Sequence, residues 1–443
     1  MRLLYRMVYQ GGNMSNSDIR DSVFYHIYPI GFCGAPPENT GEAVTSRILK
    51  INDWIPHMKK LGVNAVYFGP LFQSGTHGYD THDYRLVDTR LGTNEDFKAV
   101  CKNLKENGFS IILDGVFNHV GRGFFAFEDL LRNRENSPYR DWFSSLRFDW
   151  NNSYGDGFHY DSWAGYESLV KLNLRNPDVK RYLLDSVKMW MDEFMIDGLR
   201  LDAADCIDHD FFRELRRVTA EKNPDFWLMG EIIHGDYRVW MNGEMLHSVT
   251  NYECYKGIHS SITSKNMFEI MSSLDRQFGP WGLYKEGVLY NFLDNHDVNR
   301  IASTLKNFKE NLKNAYTVLF TMPGVPSIYY GSEWGIEGEK ANGSDLPLRP
   351  AVDVENPDVV MPELVEHIGE LSMLREKYPA LRYGAFERVM VQNEWMIFSR
   401  YTNEEAVLIF INIAHSEQRM FCDWRGRHFE EMLPPCSYKV IKM

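Results

Sequence analysis

The feature that most limits this chain's fold is an alternation. Eight short β-rich runs recur along it: "VFYHIYPI" (23–30), "VNAVYFGP" (63–70), "SIILDGVFNHV" (110–120), "GLRLDA" (198–203), "FWLMGEI" (226–232), "SVTNYE" (248–253), "VLYNFLDNHD" (288–297) and "SIYYGSE" (327–333). Between them lie stretches such as "DWIPHMKKLG" and "NEDFKAVCKNLKENG". Their apolar residues fall at helical spacing, and a glycine closes each as a helix C-cap would. Strands alternating with helices build a parallel sheet, and eight such units close a (β/α)8 TIM barrel, an α/β fold. An open doubly wound sheet would satisfy the same alternation, but no G-x-G-x-x-G follows the first run.

The alternation breaks twice. Residues 121–172 lack it and are rich in aromatics (Trp142, Trp150, Tyr160, Trp163, Tyr166), as expected of a subdomain inserted after the third strand. From 382 the chain reads "RVMVQNEWMIFSRY", "EAVLIFINIA" and "YKVIKM", short alternating strands with polar turns. A C-terminal antiparallel β-domain over 382–443 is therefore expected, leaving 18–120 and 173–381 for the barrel. Residues 1–17 have two arginines but no sustained apolar core. They read as a disordered extension rather than a signal peptide, with Met14 an equally good translation start.

Composition narrows the function. Lys+Arg total 48 against 61 Asp+Glu, a net charge of −13, which argues against nucleic-acid and anionic-membrane partners. No run is long and apolar enough to cross a bilayer. The six cysteines (Cys33, Cys101, Cys206, Cys254, Cys422, Cys436) show no ligand-like spacing and read as reduced thiols. A cytoplasmic enzyme is expected.

In such a barrel the active site lies at the C-terminal ends of the strands. Those ends carry Asn118 and His119, Arg200 and Asp202, Glu231, and His296 and Asp297. Taken singly, a strand-end Asp is usually a helix cap and a strand-end His a satisfied core residue. Together, three carboxylates, two histidines and an arginine converge on one mouth, too many costly buried groups for a purely structural role. Glycoside hydrolysis needs this set: one carboxyl protonated to release the leaving oxygen, another ionised to attack the anomeric carbon. Arg200 beside Asp202 is expected to keep that carboxylate ionised, and Glu231, after the apolar "FWLM", to keep a raised pKa and its proton. Asp297 would steady the oxocarbenium-like transition state, with His119 and His296 as donors to the sugar.

The segments "DGVFNH" (114–119), "GLRLDAAD" (198–205), "GEI" (230–232) and "FLDNHD" (292–297) resemble, in order and spacing, the four short motifs of the α-amylase family, glycoside hydrolase family 13. The resemblance spans essentially the whole chain. It implies Asp202 as nucleophile, Glu231 as general acid/base and Asp297 as transition-state stabiliser, with Arg200, His119 and His296 contacting the sugar. "GYDTHDY" (78–84) is similar to another family segment and implies that Tyr79 stacks on the ring being cleaved. "LVKLN" (169–173) is similar to the neopullulanase and cyclomaltodextrinase group, and "GEKANGSDLPLRP" (338–350) implies Asp345 and Arg349 near a neighbouring subsite. Asn118 matches a calcium-binding position of many α-amylases, but the Lys-His pair that accompanies it there is Asp205-Cys206 here. A soft thiol is a poor Ca2+ ligand, so no cofactor is expected and structural calcium is not favoured.

The expected activity is retaining hydrolysis of α-glucosidic bonds, mainly α-1,4, in maltodextrins, starch fragments or cyclodextrins. An α-glucan transglycosylase, an exo-acting α-glucosidase and a sugar-binding module without turnover remain as alternatives. The sequence leaves the oligomeric state open.

Overall fold

The computed structural model describes residues 18–41 and 43–443; the extension expected over 1–17 lies outside the described residues. Eight parallel strands form the central sheet: β1 (Phe24–Ile27), β2 (Ala65–Phe68), β3 (Ser110–Gly115), β4 (Gly198–Leu201), β5 (Trp227–Gly230), β6 (Ser248–Val249), β7 (Tyr290–Phe292) and β8 (Val325–Tyr329). They hydrogen-bond in the order β6-β5-β4-β3-β2-β1-β8-β7. Thr250, just past β6, bridges Tyr290 of β7 in parallel register, and the Asn251 amide donates to the Tyr290 carbonyl at 2.9 Å. That contact closes the barrel.

Both faces of these strands are buried, as their continuous apolar runs require. Phe24, Tyr67, Ile112, Trp227, Met229, Tyr290 and Phe292 fill the interior, so the barrel is plugged by side chains and the chemistry is left to its rim. The outer face packs against helices whose ends are written locally. Thr93 and Asp96 form a capping box at the start of helix Asn94–Glu106, which buries Phe97, Val100, Cys101 and Leu104 along one stripe. Asn176 caps Pro177–Glu193 by accepting from the Asp178 and Val179 amides, and that helix buries Val179, Leu183, Val187 and Trp190.

The run expected as one strand over 110–120 is two. β3 stops at Gly115, and His119–Gly121 instead pairs antiparallel with Tyr166–Lys171 of the inserted segment. The chain turns back between them, laying the Phe117 ring where a Cβ on residue 115 would meet it at 2.7 Å. A larger side chain at 115 would have to displace that ring. A hairpin of Phe72–Ser74 and Thr81–Val87 adds a second small sheet at the mouth.

After helix Pro379–Tyr383 come β9 (Ala385–Val391), β10 (Trp395–Tyr401), β11 (Ala406–Asn412), β12 (Gln418–Trp424), β13 (Arg427–Leu433) and β14 (Ser437–Lys442). They form an antiparallel sheet ordered β9-β10-β11-β14 and a β12-β13 pair. All six cysteines are free thiols. No helix among the described residues is long and apolar enough to cross a membrane.

Candidate active site

One guanidinium organises the mouth. Arg200 lies on β4 directly opposite Asp114 of β3 in the ladder. Its Nη1 donates to both Asp114 oxygens and to Asp202 Oδ1, each at 2.9 Å. Its Nη2 lies 2.7 Å from Glu231 Oε2. Asp114 also accepts from the Tyr67 and Tyr79 hydroxyls, at 2.9 and 3.1 Å. A planar fork suits this work, because it presents several donors in fixed directions.

Just after Asp202, Ala203 takes a left-handed conformation, φ 43°, and its amide donates to Glu231 Oε2 at 3.3 Å. The Tyr252 hydroxyl donates to Glu231 Oε1 at 3.1 Å, so both oxygens of this carboxylate have donors. Glu231, expected to be the less ion-paired of the two carboxylates, shares Arg200 with Asp202. Burial pushes the Asp202 carboxyl well above the usual carboxylate range; Arg200 opposes the shift, while Glu231, Asp114 and Asp297 add to it. Arg200 works toward the ionised form, as expected, but burial and the neighbouring carboxylates work against it. The guanidinium is shared among three carboxylates, and Asp202 receives one donor from it.

Across the mouth, Asp297 behaves oppositely. Burial disfavours its charge, but His296, Arg349 and Arg200 outweigh that and hold the carboxyl well below its ordinary range. His296 Nε2 is 2.9 Å from Asp297 Oδ2 and also bonds the Tyr79 hydroxyl. The Tyr79 and His296 rings lie nearly parallel, 5.5 Å between centroids. Arg349 Nη2 reaches Asp297 Oδ1 at 2.9 Å and Asp345 Oδ2 at 3.2 Å, joining the loop over 338–350 to the site. His119 Nε2 stands 3.9 Å from Asp202 Oδ2. Burial lowers its pKa to about 3, and Nε2 has no hydrogen-bond partner among the described residues. A neutral, uncommitted ring nitrogen beside the carboxylate suits a sugar hydroxyl.

All nine predicted residues thus join in one connected cluster. Sequence reasoning missed Asp114, Tyr67 and Tyr252. Asp114 sits inside the quoted "DGVFNH", but its alignment with Arg200 is a matter of strand register that no local signal carries.

Asn118 tests the calcium question. Its Oδ1 is buried without a partner among the described residues, and Asn118 lines a cleft of about 420 Å3 with Asp161, Lys171, Asn173, Cys206 and Asp208. Calcium takes six to eight oxygen ligands. Here it would meet an ammonium and a thiol, while Asp161 already accepts from the Ser145 hydroxyl at 2.6 Å. No group of three or more His, Cys, Asp or Glu among the described residues is placed to hold a metal. These residues do not fit the ion.

Carboxylates of opposite proton affinity facing one another at the C-terminal mouth of a (β/α)8 barrel define a glycoside hydrolase. The chain belongs to the α-amylase family, whose catalytic-domain model matches residues 26–363. A cyclomaltodextrinase from a Bacillus species is 33% identical over 428 residues, 91% of this chain and 75% of that protein. An intracellular maltogenic amylase from Bacillus subtilis is 29% identical over 427 residues, 91% of this chain and 70% of that one. The cyclic α-maltosyl-(1→6)-maltose hydrolase of Arthrobacter globiformis, solved in complex with that sugar, superposes with a TM-score of 0.84 at 26% identity, covering 96% and 99% of the two chains.

Proposed function

We propose that the protein hydrolyses α-glucosidic bonds, mainly α-1,4, of maltodextrins, starch fragments or cyclodextrins with retention of configuration. The observation that carries this reading is the single guanidinium spanning Asp202 and Glu231, opposite an Asp297 held ionised.

The glucosyl ring lies between Asp202 and Tyr79, with His119 and His296 donating to its hydroxyls. Glu231 protonates the glycosidic oxygen while the Asp202 carboxylate attacks the anomeric carbon. The C–O bond to the leaving sugar breaks and a glycosyl ester forms. Water, deprotonated by Glu231, then attacks the same carbon and frees Asp202. Asp297 balances the positive charge that grows on the ring in both steps.

Neither catalytic step needs a metal, and calcium is not required in this reading. A cytoplasmic location accords with the intracellular relative and the six free thiols. The test is a panel of starch, maltotriose, β-cyclodextrin, pullulan and isomaltose, with the anomer of each product followed by NMR. Initial release of α-anomers from the α-1,4 substrates is expected, and β-anomers would overturn retention. Asp202→Asn should lose turnover by roughly 10⁴-fold or more while keeping its melting transition; substantial residual activity would remove Asp202 as nucleophile.

A further inference from the structure

Two aromatic rings that none of the steps above use stand beside the site. Trp163 is half-buried, and its ring centroid lies 5.8 Å from that of His119. Tyr166 is 61% exposed, yet its ring runs nearly parallel to Trp163, with 22° between planes and 6.0 Å between centroids. The two residues face each other across the tip of the hairpin Ser162–Trp163/Tyr166–Lys171. Ala164 and Gly165, at φ 50° and 83°, make the tight turn between them.

This tip is anchored. Tyr166–Lys171 pairs with His119–Gly121, and the Glu167 carbonyl accepts from the Tyr160 hydroxyl at 2.8 Å. The Glu167 carboxylate accepts from the Ser153 amide at 2.7 Å. A single exposed tyrosine needs no explanation. Two aligned rings on a braced hairpin, continuous with a histidine beside Asp202, form an apolar surface of fixed orientation at the entrance.

We propose that Trp163 and Tyr166 form a stacking platform for a glucosyl ring of the α-glucan chain adjoining the one being cleaved, and so set the chain length the enzyme prefers. The C–H face of a pyranose is apolar and edge-positive, which suits the negative face of an aromatic ring, while its hydroxyls stay in water. Stacking requires no ring substituent pattern beyond that face, so the platform would read the presence of a neighbouring sugar rather than its linkage. The proposal rests on the α-glucan hydrolase reading of the site.

The experiment compares wild type, Tyr166→Ala, Tyr166→Phe and Trp163→Ala on maltopentaose and on α-glucosyl fluoride, whose leaving group is a single atom and which brings no neighbouring ring. For Tyr166→Ala, kcat/KM on maltopentaose should fall about tenfold further than on α-glucosyl fluoride, mainly through KM, the size expected for one stacked ring. Tyr166→Phe should recover most of the loss, because the ring and not the hydroxyl does the stacking. Trp163→Ala should show at least the same substrate-dependent gap. Equal losses on both substrates would mean that the hairpin merely props His119, and no loss on either would mean that the rings touch no sugar; each overturns the platform. Wild-type enzyme inactive on both would instead overturn the α-glucan hydrolase reading and the platform with it.

Discussion

Asp114→Asn tests how charge is apportioned around Arg200. The substitution keeps the side-chain shape and an oxygen for the Tyr67 and Tyr79 hydroxyls, 2.9 and 3.1 Å away, and removes one fully buried charge. Asp114 and Asp202 each place an oxygen 2.9 Å from the same nitrogen, Arg200 Nη1. Two unit charges about 5 Å apart at an effective dielectric of about 20 repel by about 3 kcal/mol, equivalent to about two pH units. The guanidinium screens part of this, so a shift of about one unit is expected. Losing a negative neighbour lowers the Asp202 pKa. The acidic limb of the kcat/KM profile should therefore move to lower pH. The assay is the pH dependence of kcat/KM on maltotriose from about pH 4 to 9. A profile superimposable on wild type, or displaced upward, would refute the shared-guanidinium account. Arg200 keeps two carboxylate partners, so the loss of stability should be smaller than the about 3–5 kcal/mol of an orphaned buried ion.

Glu231→Gln should abolish turnover of maltotriose yet retain the first step on α-maltosyl fluoride, because fluoride departs without a proton; equal loss on both substrates would show that Glu231 is not the proton donor. Stability should fall as pH drops from about 6.5 to 4. Burial lowers the pKa of His119 to about 3 and those of His247 and His367 to about 4, so the unfolded chain binds protons there that the folded chain does not. Each contributes at most about 1.4 kcal/mol per pH unit; the raised Asp202 works in the opposite direction but is one group against three. A urea midpoint unchanged between pH 7 and 4.5 would contradict this. Activity on maltotriose should survive exhaustive chelation, and a loss restored by added Ca2+ would reverse the reading of the Asn118 cleft.

The strands and the reacting groups were legible because their signals are local. A strand buried on both faces must be a continuous apolar run, and a charge at its end stands out against that run. Pairing is not local. Nothing within "DGVFNH" states that Asp114 falls level with Arg200, because that alignment depends on how two strands eighty residues apart slide past each other. The same blindness hid the donors that surround Glu231. "FWLMGEI" looks apolar around Glu231, but its donors come from Arg200, Ala203 and Tyr252, all on other elements. The break after Gly115 was missed because "VFNHV" is as β-prone as the strand before it, and only the inserted hairpin claims its last residues.

The closure of the barrel has a mechanical consequence. Around most of the ring, neighbouring strands are laced by several backbone pairings; β3 and β4 share four, from Ile112↔Gly198 to Gly115↔Leu201. Between β6 and β7 a single bridge does this work, reinforced by the Asn251 amide group donating to Asn291 Oδ1 at 2.8 Å and to Gln277 Oε1 at 2.9 Å. The ring is therefore held by fewer backbone pairings on the flank that separates Glu231 from Asp297 than beside the Asp114–Arg200–Asp202 cradle. A change of width along that seam would alter the span between proton donor and Asp297 while leaving the nucleophile's cradle in register.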